Sequence, residues 1–166
     1  RADYDAAAKI LEGVAMPTSD SEKLNVYAQT MLATRQLDEA AEAYTRLYEL
    51  KKDPFAKLLI GNVYNEKKDY DKAAEAYNQL IDADPSYVQA YVNLSTMYKI
   101  RGNNQAAIDT AKKAVKNNDT NVTLLELLVS MTMQDKASTD YKEAVEKLKQ
   151  VNPKDPLLVE LNEVQA

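Results

Sequence analysis

The chain has 166 residues, of which 45% are apolar, and its 21 basic and 26 acidic side chains give a net charge of −5. It contains no histidine, cysteine or tryptophan, which excludes disulfides, thiolate nucleophiles, imidazole bases and nearly every kind of zinc site. Its 3 glycines and 5 prolines are too few to punctuate a many-stranded sheet, so the composition favours an all-helical protein.

Charge and hydropathy exclude two further classes of partner. An acidic chain repels phosphate backbones, so we expect no nucleic-acid partner. No apolar run approaches the roughly 18 residues of a membrane span, so we expect no membrane insertion. One of the three N-x-S/T sequences, at Asn93, falls in the middle of a predicted helix, where a glycan would clash. This disfavours a secreted eukaryotic source, and we expect a soluble bacterial or archaeal protein of the cytoplasm or periplasm.

An alanine-centred segment recurs along the chain. Its best copies, residues 38–44 and 71–77, read DEAAEAY and DKAAEAY, and looser copies begin at residues 5, 105 and 142. The anchoring alanines are separated by 33, 33, 34 and 37 residues, and they are Ala7, Ala40, Ala73, Ala107 and Ala144. A period near 34 residues is the length of one helix pair with short turns, so it predicts a helical repeat array.

The predicted elements follow this period from one end to the other. We predict a lone second helix within residues 1–18, four helix pairs at 19–53, 54–87, 88–121 and 122–154, and the start of a capping helix at 155–166. In the clearest unit, apolar residues recur at helical spacing on both sides of a polar turn at 67–69, and Pro85 follows the second helix. The incomplete units at both ends predict that the chain is a segment of a longer protein.

These residues resemble the tetratricopeptide repeat family, whose pattern is W-x-x-L-G-x-x-Y, then A-x-x-x-F, A and P. Residues 57–64 read KLLIGNVY, and Ala73, Tyr77 and Pro85 follow at the expected places. Tryptophan is missing from the first anchor in every unit. The resemblance implies an all-α fold, a right-handed α-α superhelix of about 4.5 helix pairs, acting as a non-enzymatic protein-interaction scaffold.

Candidate chemistry outside this pattern is sparse. The acid pairs Asp69 with Asp71 and Asp82 with Asp84 flank predicted helix ends, where aspartate is common in turns and caps. Five of the 11 tyrosines fall on repeat anchors, which favours a role in the core over a stacking platform for bases. We therefore predict no catalytic residue, no cofactor and no metal site.

The resemblance further implies that the first helix of each pair lines a concave groove for a peptide or partner segment. The groove residues carried over from the family are Asn25, Gln29, Phe55, Leu58, Asn62, Asn65, Gln89, Val92, Asn93, Thr96, Lys99, Glu126 and Ser130. An asparagine amide both donates and accepts hydrogen bonds, so we expect binding to depend most on Asn62 and Asn93. Leu58, Thr123 and Leu127 replace the basic residues of the family's carboxylate clamp, so chaperone tails are not the expected partner. A repeat consensus without a dedicated ligand stays open as the alternative.

A second function stays open, namely self-assembly or homo-oligomerisation through the end helices. It rests on apolar side chains that the ends of the array would leave uncovered, and these are Ile10, Leu11, Val14, Leu158 and Leu161.

Overall fold

The computed structural model describes Met16 and residues 19–163. These residues form nine helices and no strand, which confirms the all-α class. The helices are α1 (Ser21–Ala33), α2 (Leu37–Lys51), α3 (Pro54–Glu66), α4 (Tyr70–Ala83), α5 (Val88–Ile100), α6 (Asn104–Asn117), α7 (Val122–Thr132), α8 (Thr139–Val151) and α9 (Pro156–Glu163). The predicted lone helix, with Ala7, Ile10, Leu11 and Val14, lies outside the described residues.

The chain divides into two compact units, Arg1–Asp82 and Ala83–Ala166, called here the first half and the second half. In the first half α1 packs on α2 and α2 on α3. In the second half α5 packs on α6, α6 on α7, and α7 on α8. Each half therefore consists of successive helices packed on their neighbours in sequence.

Local sequence explains where several helices begin. The side chain of Asp20 accepts hydrogen bonds from the amides of Glu22 and Lys23, both at 3.1 Å, and starts α1. Asn121 bonds the amide of Leu124 at 3.2 Å in the same way before α7. Such caps satisfy amides that have no partner in the first helical turn, and each stabilises its helix by about 1 kcal/mol.

Three helix pairs share one turn geometry. Arg35, Lys68 and Gly102 stand at the turn with φ of +62°, +63° and +77°. In each turn, the residue that follows the left-handed one donates its backbone amide to the carbonyl five positions before it, at 2.8 to 2.9 Å. This closes the helix end with a left-handed residue. The turn between α7 and α8 is longer, spans residues 133–138 and is held by the carboxylate of Asp135.

The repeated alanines lie in the core. Ala40, Ala73, Ala107 and Ala144 are each at most 1% exposed, as expected of small residues at which helices pack closely. A larger side chain there would overpack the crossing, at a cost of about 1–3 kcal/mol. The anchors predicted from the period are thus confirmed as core residues wherever the structure describes them.

At Gly61 in α3, the ring of a neighbouring tyrosine packs directly against the backbone. A Cβ atom on Gly61 would stand 2.5 Å from Cε1 and 2.8 Å from Cδ1 of Tyr77. Tyr77 is 1% exposed and lies in α4, so its ring fills the space that the missing side chain leaves. Glycine is required here for packing.

The carboxyl-terminal helix corrects one expectation. Leu158 and Leu161 of α9 are 4% and 7% exposed, so the prediction that they form an uncovered apolar face is wrong. Their spacing of three residues puts both on one side of α9, and Val159 on another side is exposed. Buried Asp155 starts this helix, since its carboxylate accepts the Leu157 amide at 3.0 Å.

Candidate partner-binding surfaces

Three of the predicted groove residues meet at one depression of about 200 Å³ in the first half. It lies between α1 and the start of α3, with the end of α2 alongside, and is named here the first-half depression. Its lining residues are Ser21, Glu22, Asn25, Gln29, Leu47, Lys51, Asp53, Phe55, Ala56 and Leu59.

Local structure explains how these side chains come together. Asn25 and Gln29 are four residues apart in α1, so they share one helix face. Phe55 is the second residue of α3, and the carboxylate of Asp53 accepts its amide at 2.9 Å. A ring at the very start of a helix has no preceding turn to pack on, and Phe55 is 56% exposed.

The two amides that line this surface belong to Asn25 and Gln29. Among the described residues, neither side chain has a hydrogen-bond partner. A side-chain amide can donate and accept at the same time, as a peptide bond requires. Within the described part of the chain, the depression thus combines amides that have no hydrogen-bond partner with exposed apolar surface.

The two asparagines expected to matter most are in a different state. The Oδ1 atom of Asn62 accepts a hydrogen bond from the Tyr77 hydroxyl at 2.7 Å, within the first half. In the second half, the Oδ1 atom of Asn93 accepts one from Nε2 of Gln89, also at 2.7 Å. Both acceptor oxygens are therefore used inside the fold, and Asn62 holds the hydroxyl of a buried ring.

The remaining predicted residues differ in how much surface they offer. Leu58 is buried and does not line the first-half depression. Asn65 and Val92 are half-buried, and Thr96 is exposed. Lys99 in α5 donates to the backbone carbonyl of Ser130 in α7 at 2.9 Å, so its ammonium ties two helices of the second half together.

Glu126, in α7, has an electrostatically unfavourable position. Burial raises the pKa of its carboxyl group above the ordinary value, and the negative charge of Asp155 raises it further. The half-buried carboxylate therefore favours protonation more than a solvated glutamate does.

Sequence reasoning missed part of the first-half depression. Leu59 lines it and is half-buried, and Lys51 reaches it from the end of α2. The repeat register assigns residues to a helix face, but it does not show where a face bends into a depression. The one available signal was the break between α2 and α3, where Asp53 and Pro54 force the chain to turn.

Two further properties concern metals and membranes. Among the described residues, no three histidine, cysteine, aspartate or glutamate side chains are grouped closely enough to hold a metal ion. In the same part of the chain, every helix is too short or too polar to cross a bilayer.

A family model described as "Tetratricopeptide repeat" matches residues 28–88 and 58–122, together more than half of the chain. Protein bimA of Emericella nidulans is 32% identical over 94 residues, which is 55% of this chain. The chain spans only 11% of the length of that relative.

Solved structures give the fold. The carboxyl-terminal part of a TPR repeat-containing protein from Cytophaga hutchinsonii superposes with a TM-score of 0.69 at 16% identity, covering 91% of this chain and 60% of that one. YrrB, described as a TPR protein with an unusual peptide-binding site, gives a TM-score of 0.60 at 12% identity, covering 98% and 81% of the two chains.

Proposed function

The chain belongs to the tetratricopeptide repeat family, and from this premise we propose that it is a non-enzymatic scaffold that binds a peptide or partner segment in its first-half depression. The supporting observation is a pair of amides, Asn25 and Gln29, which have no hydrogen-bond partner among the described residues and lie beside the exposed ring of Phe55. An extended segment needs hydrogen bonds for its backbone and apolar surface for its side chains, and this surface offers both.

The mechanism is recognition by a preformed surface. Asn25 and Gln29 stand on one face of a regular helix, so binding does not require that helix to rearrange. Each amide-to-peptide hydrogen bond contributes about 0.5–1.5 kcal/mol. Phe55 and Leu59 supply the apolar contact. An aromatic ring that the partner buries on binding is the kind of residue that dominates interface energies.

We expect this binding to depend only weakly on ionic strength. The charges that line the depression are Glu22, Lys51 and Asp53, which leave a small net charge. Hydrogen bonds between neutral amides and backbone are not screened by salt, whereas charge pairs are. YrrB, a protein of the same fold, is described as having a peptide-binding site, which favours a peptide over other ligand classes for this scaffold.

The experiment selects peptides from a displayed random library against the whole chain and then measures their affinity for variants. We expect Asn25→Ala with Gln29→Ala to weaken binding by about 1–3 kcal/mol and Phe55→Ser by about 2 kcal/mol or more. Val26→Ser is the matched control, because Val26 is exposed on α1 but does not line the depression. Full affinity in both test variants would show that the peptides bind to another surface.

Asn62→Ala is a poor test of binding, although sequence reasoning favours it. Removing the Asn62 amide also removes the partner of the Tyr77 hydroxyl, so lost binding would not be separable from a loosened core. Self-assembly through the end helices stands as the second candidate, and the burial of Leu158 and Leu161 removes its support at the carboxyl-terminal end.

A further inference from the structure

A second surface, separate from the first-half depression, lies between α6 and α8 in the second half. It is a crevice of about 250 Å³, named here the second-half crevice. Its apolar lining comes from Val115, Leu125, Leu128 and Ala144, each at most 8% exposed. Its charged rim comes from Lys112, Lys116, Asp140, Glu143 and Lys147.

The repeat register explains why this space is open. In the first half, Tyr48 and Lys57 stand at the positions that Val115 and Leu125 hold in the second half. There the Lys57 ammonium lies 4.8 Å from the centre of the Tyr48 ring, so an aromatic side chain with a lysine over it occupies the corresponding place. Valine at residue 115 leaves out the volume of a phenol ring.

The charges of the rim are unevenly spread. Lys112 bonds Asp140 at 2.8 Å, and the negative charge of Glu143 acts on the same ammonium, so this end of the crevice is acidic. Lys116 lies one helical turn after Lys112 in α6, and Lys147 lies one turn after Glu143 in α8, so both are at the other end of the crevice.

The end that holds these two lysines has an excess of positive charge. Lys147 pairs with Asp119 at 3.5 Å, whereas Lys116 has no ion-pair partner among the described residues. The crevice therefore has an apolar floor and one unneutralised ammonium at a defined end.

We propose that the second-half crevice binds a partner protein segment that presents one large apolar side chain with a carboxylate next to it. The apolar side chain enters over Val115 and Leu128, and the carboxylate faces Lys116. Shape selects the first group, since about 250 Å³ accommodates a single aromatic or branched aliphatic side chain. Charge selects the carboxylate, because an anion next to Lys116 would pair with an ammonium that has no ion-pair partner among the described residues.

The test uses three blocked dipeptides as probes: acetyl-Phe-Glu-amide, acetyl-Phe-Gln-amide and acetyl-Ala-Glu-amide. Binding to the full chain is followed by the NMR shifts of the Val115, Leu125 and Leu128 methyl groups. We expect both Phe probes to shift these methyls, with the Glu probe binding about two- to fivefold more tightly at low ionic strength. The Ala probe should leave the methyls unshifted at the same concentrations.

Matched variants separate the apolar and the charged parts of the proposal. Lys116→Gln should abolish the preference for Glu over Gln, whereas Lys113→Gln, on the same helix but outside the lining, should keep it. Val115→Tyr should fill the crevice and abolish binding of every probe. Phe55→Ser should change nothing here, so this test fails or succeeds independently of the first-half depression.

Three results would overturn the proposal. The first is the absence of methyl shifts with the Phe probes, and the second is a Glu preference that survives Lys116→Gln. The third is concentration-dependent sedimentation of the unliganded chain that Val115→Tyr removes, because the occupant would then be a second copy of the chain. Folding of each variant is read from far-UV circular dichroism, and the charge variants, which alter only exposed side chains, keep the test decisive if Val115→Tyr does not fold.

Discussion

The two halves use the same frame of helix pairs but fill it with side chains of different size. Tyr44 and Tyr48 in α2 of the first half correspond, in the repeat register, to Ala111 and Val115 in α6 of the second half. Ala40 and Ala107, which anchor these two helices, are equally buried. The frame therefore fixes where helices cross, while the volume around the crossing is free to vary.

The variation is compensated where two side chains face each other. Gly61 leaves room for the Tyr77 ring in the first half, and the register pairs Ser95 with Ala111 in the second. Where a large residue is lost without compensation, as at Val115, a crevice remains. The difference between the halves teaches that open space in the repeat arises where a large side chain is lost without compensation.

The largest expected effect comes from breaking the compensated pair in the first half. Gly61→Val should destabilise the protein by about 3 kcal/mol, because its Cβ would stand 2.5 Å from the Tyr77 ring. The free energy of unfolding is measured by urea titration followed by far-UV circular dichroism. In a Tyr77→Ala background the added side chain gains space, so the two substitutions should be coupled by at least about 1 kcal/mol. Additive effects would show that the ring and Gly61 do not exclude each other.

The equivalent place in the second half should respond with the opposite sign. The Ser95 side chain is 0% exposed, and its hydroxyl has no hydrogen-bond partner in the part of the chain that the structure describes. A buried unpaired hydroxyl costs about 1–3 kcal/mol, so Ser95→Ala should stabilise the chain by about 1 kcal/mol. Thr96→Ala is the control, since Thr96 is the next residue of α5 and is exposed. A loss of stability in Ser95→Ala would contradict this account.

The turns offer a third comparison between the halves. Arg35 and Lys68 in the first half hold a left-handed conformation that a side chain disfavours, whereas the second half has Gly102. Arg35→Gly and Lys68→Gly should each stabilise by about 0.5 kcal/mol, and Gly102→Ala should destabilise by about 1 kcal/mol.

At Gly102 only the left-handed backbone conformation opposes a side chain, because no described atom beyond the adjacent residues lies within 4 Å of the position that a Cβ would take. Gly102→Asn should therefore cost less than Gly102→Ala, since asparagine tolerates this conformation. Thermal midpoints of the four variants test the prediction. Equal midpoints for Gly102→Ala and the unsubstituted chain would show that the turn relaxes to another conformation.

The sequence predicts the fold well because its strongest signals are local. The helical spacing of apolar residues and the caps act within one helix pair, and the period of the alanines relates each pair to the next. These signals agree at Ala40, Ala73 and Ala107. The burial of Leu158 was missed because the apolar stripe of α9 is visible in the sequence, while the surface that covers it is not.

The sequence predicts the candidate site only in part, and for a related reason. The register selected Asn25, Gln29 and Phe55 as facing one side, and the structure brings them to one depression. It also selected Asn62 and Asn93, whose oxygens bond Tyr77 and Gln89. Whether an amide is engaged depends on the side chains that approach it in the fold, and position in the repeat carries no such information.

The smallest expected effect is the pH-dependent contribution of Glu126 to the stability of the second half. Burial and the nearby charge of Asp155 raise the pKa of Glu126 in the folded chain. The folded state then binds a proton at this site more tightly than the unfolded state. The contribution of Glu126 to stability is therefore most favourable below its unfolded pKa, near 4.3, and is lost as the pH rises through the folded pKa.

At pH 7 the charged carboxylate thus opposes folding, and Glu126→Gln should remove that cost. Because water still reaches the half-buried group, we expect a gain below about 0.5 kcal/mol. The gain should vanish at a pH below about 4, where Glu126 is protonated in both states. Urea titrations of both proteins at the two pH values measure the difference, and Glu146→Gln, which removes an exposed acid on α8, is the control variant. A gain of equal size at both pH values would mean that the glutamine improves packing and that the charge of Glu126 has no part in it.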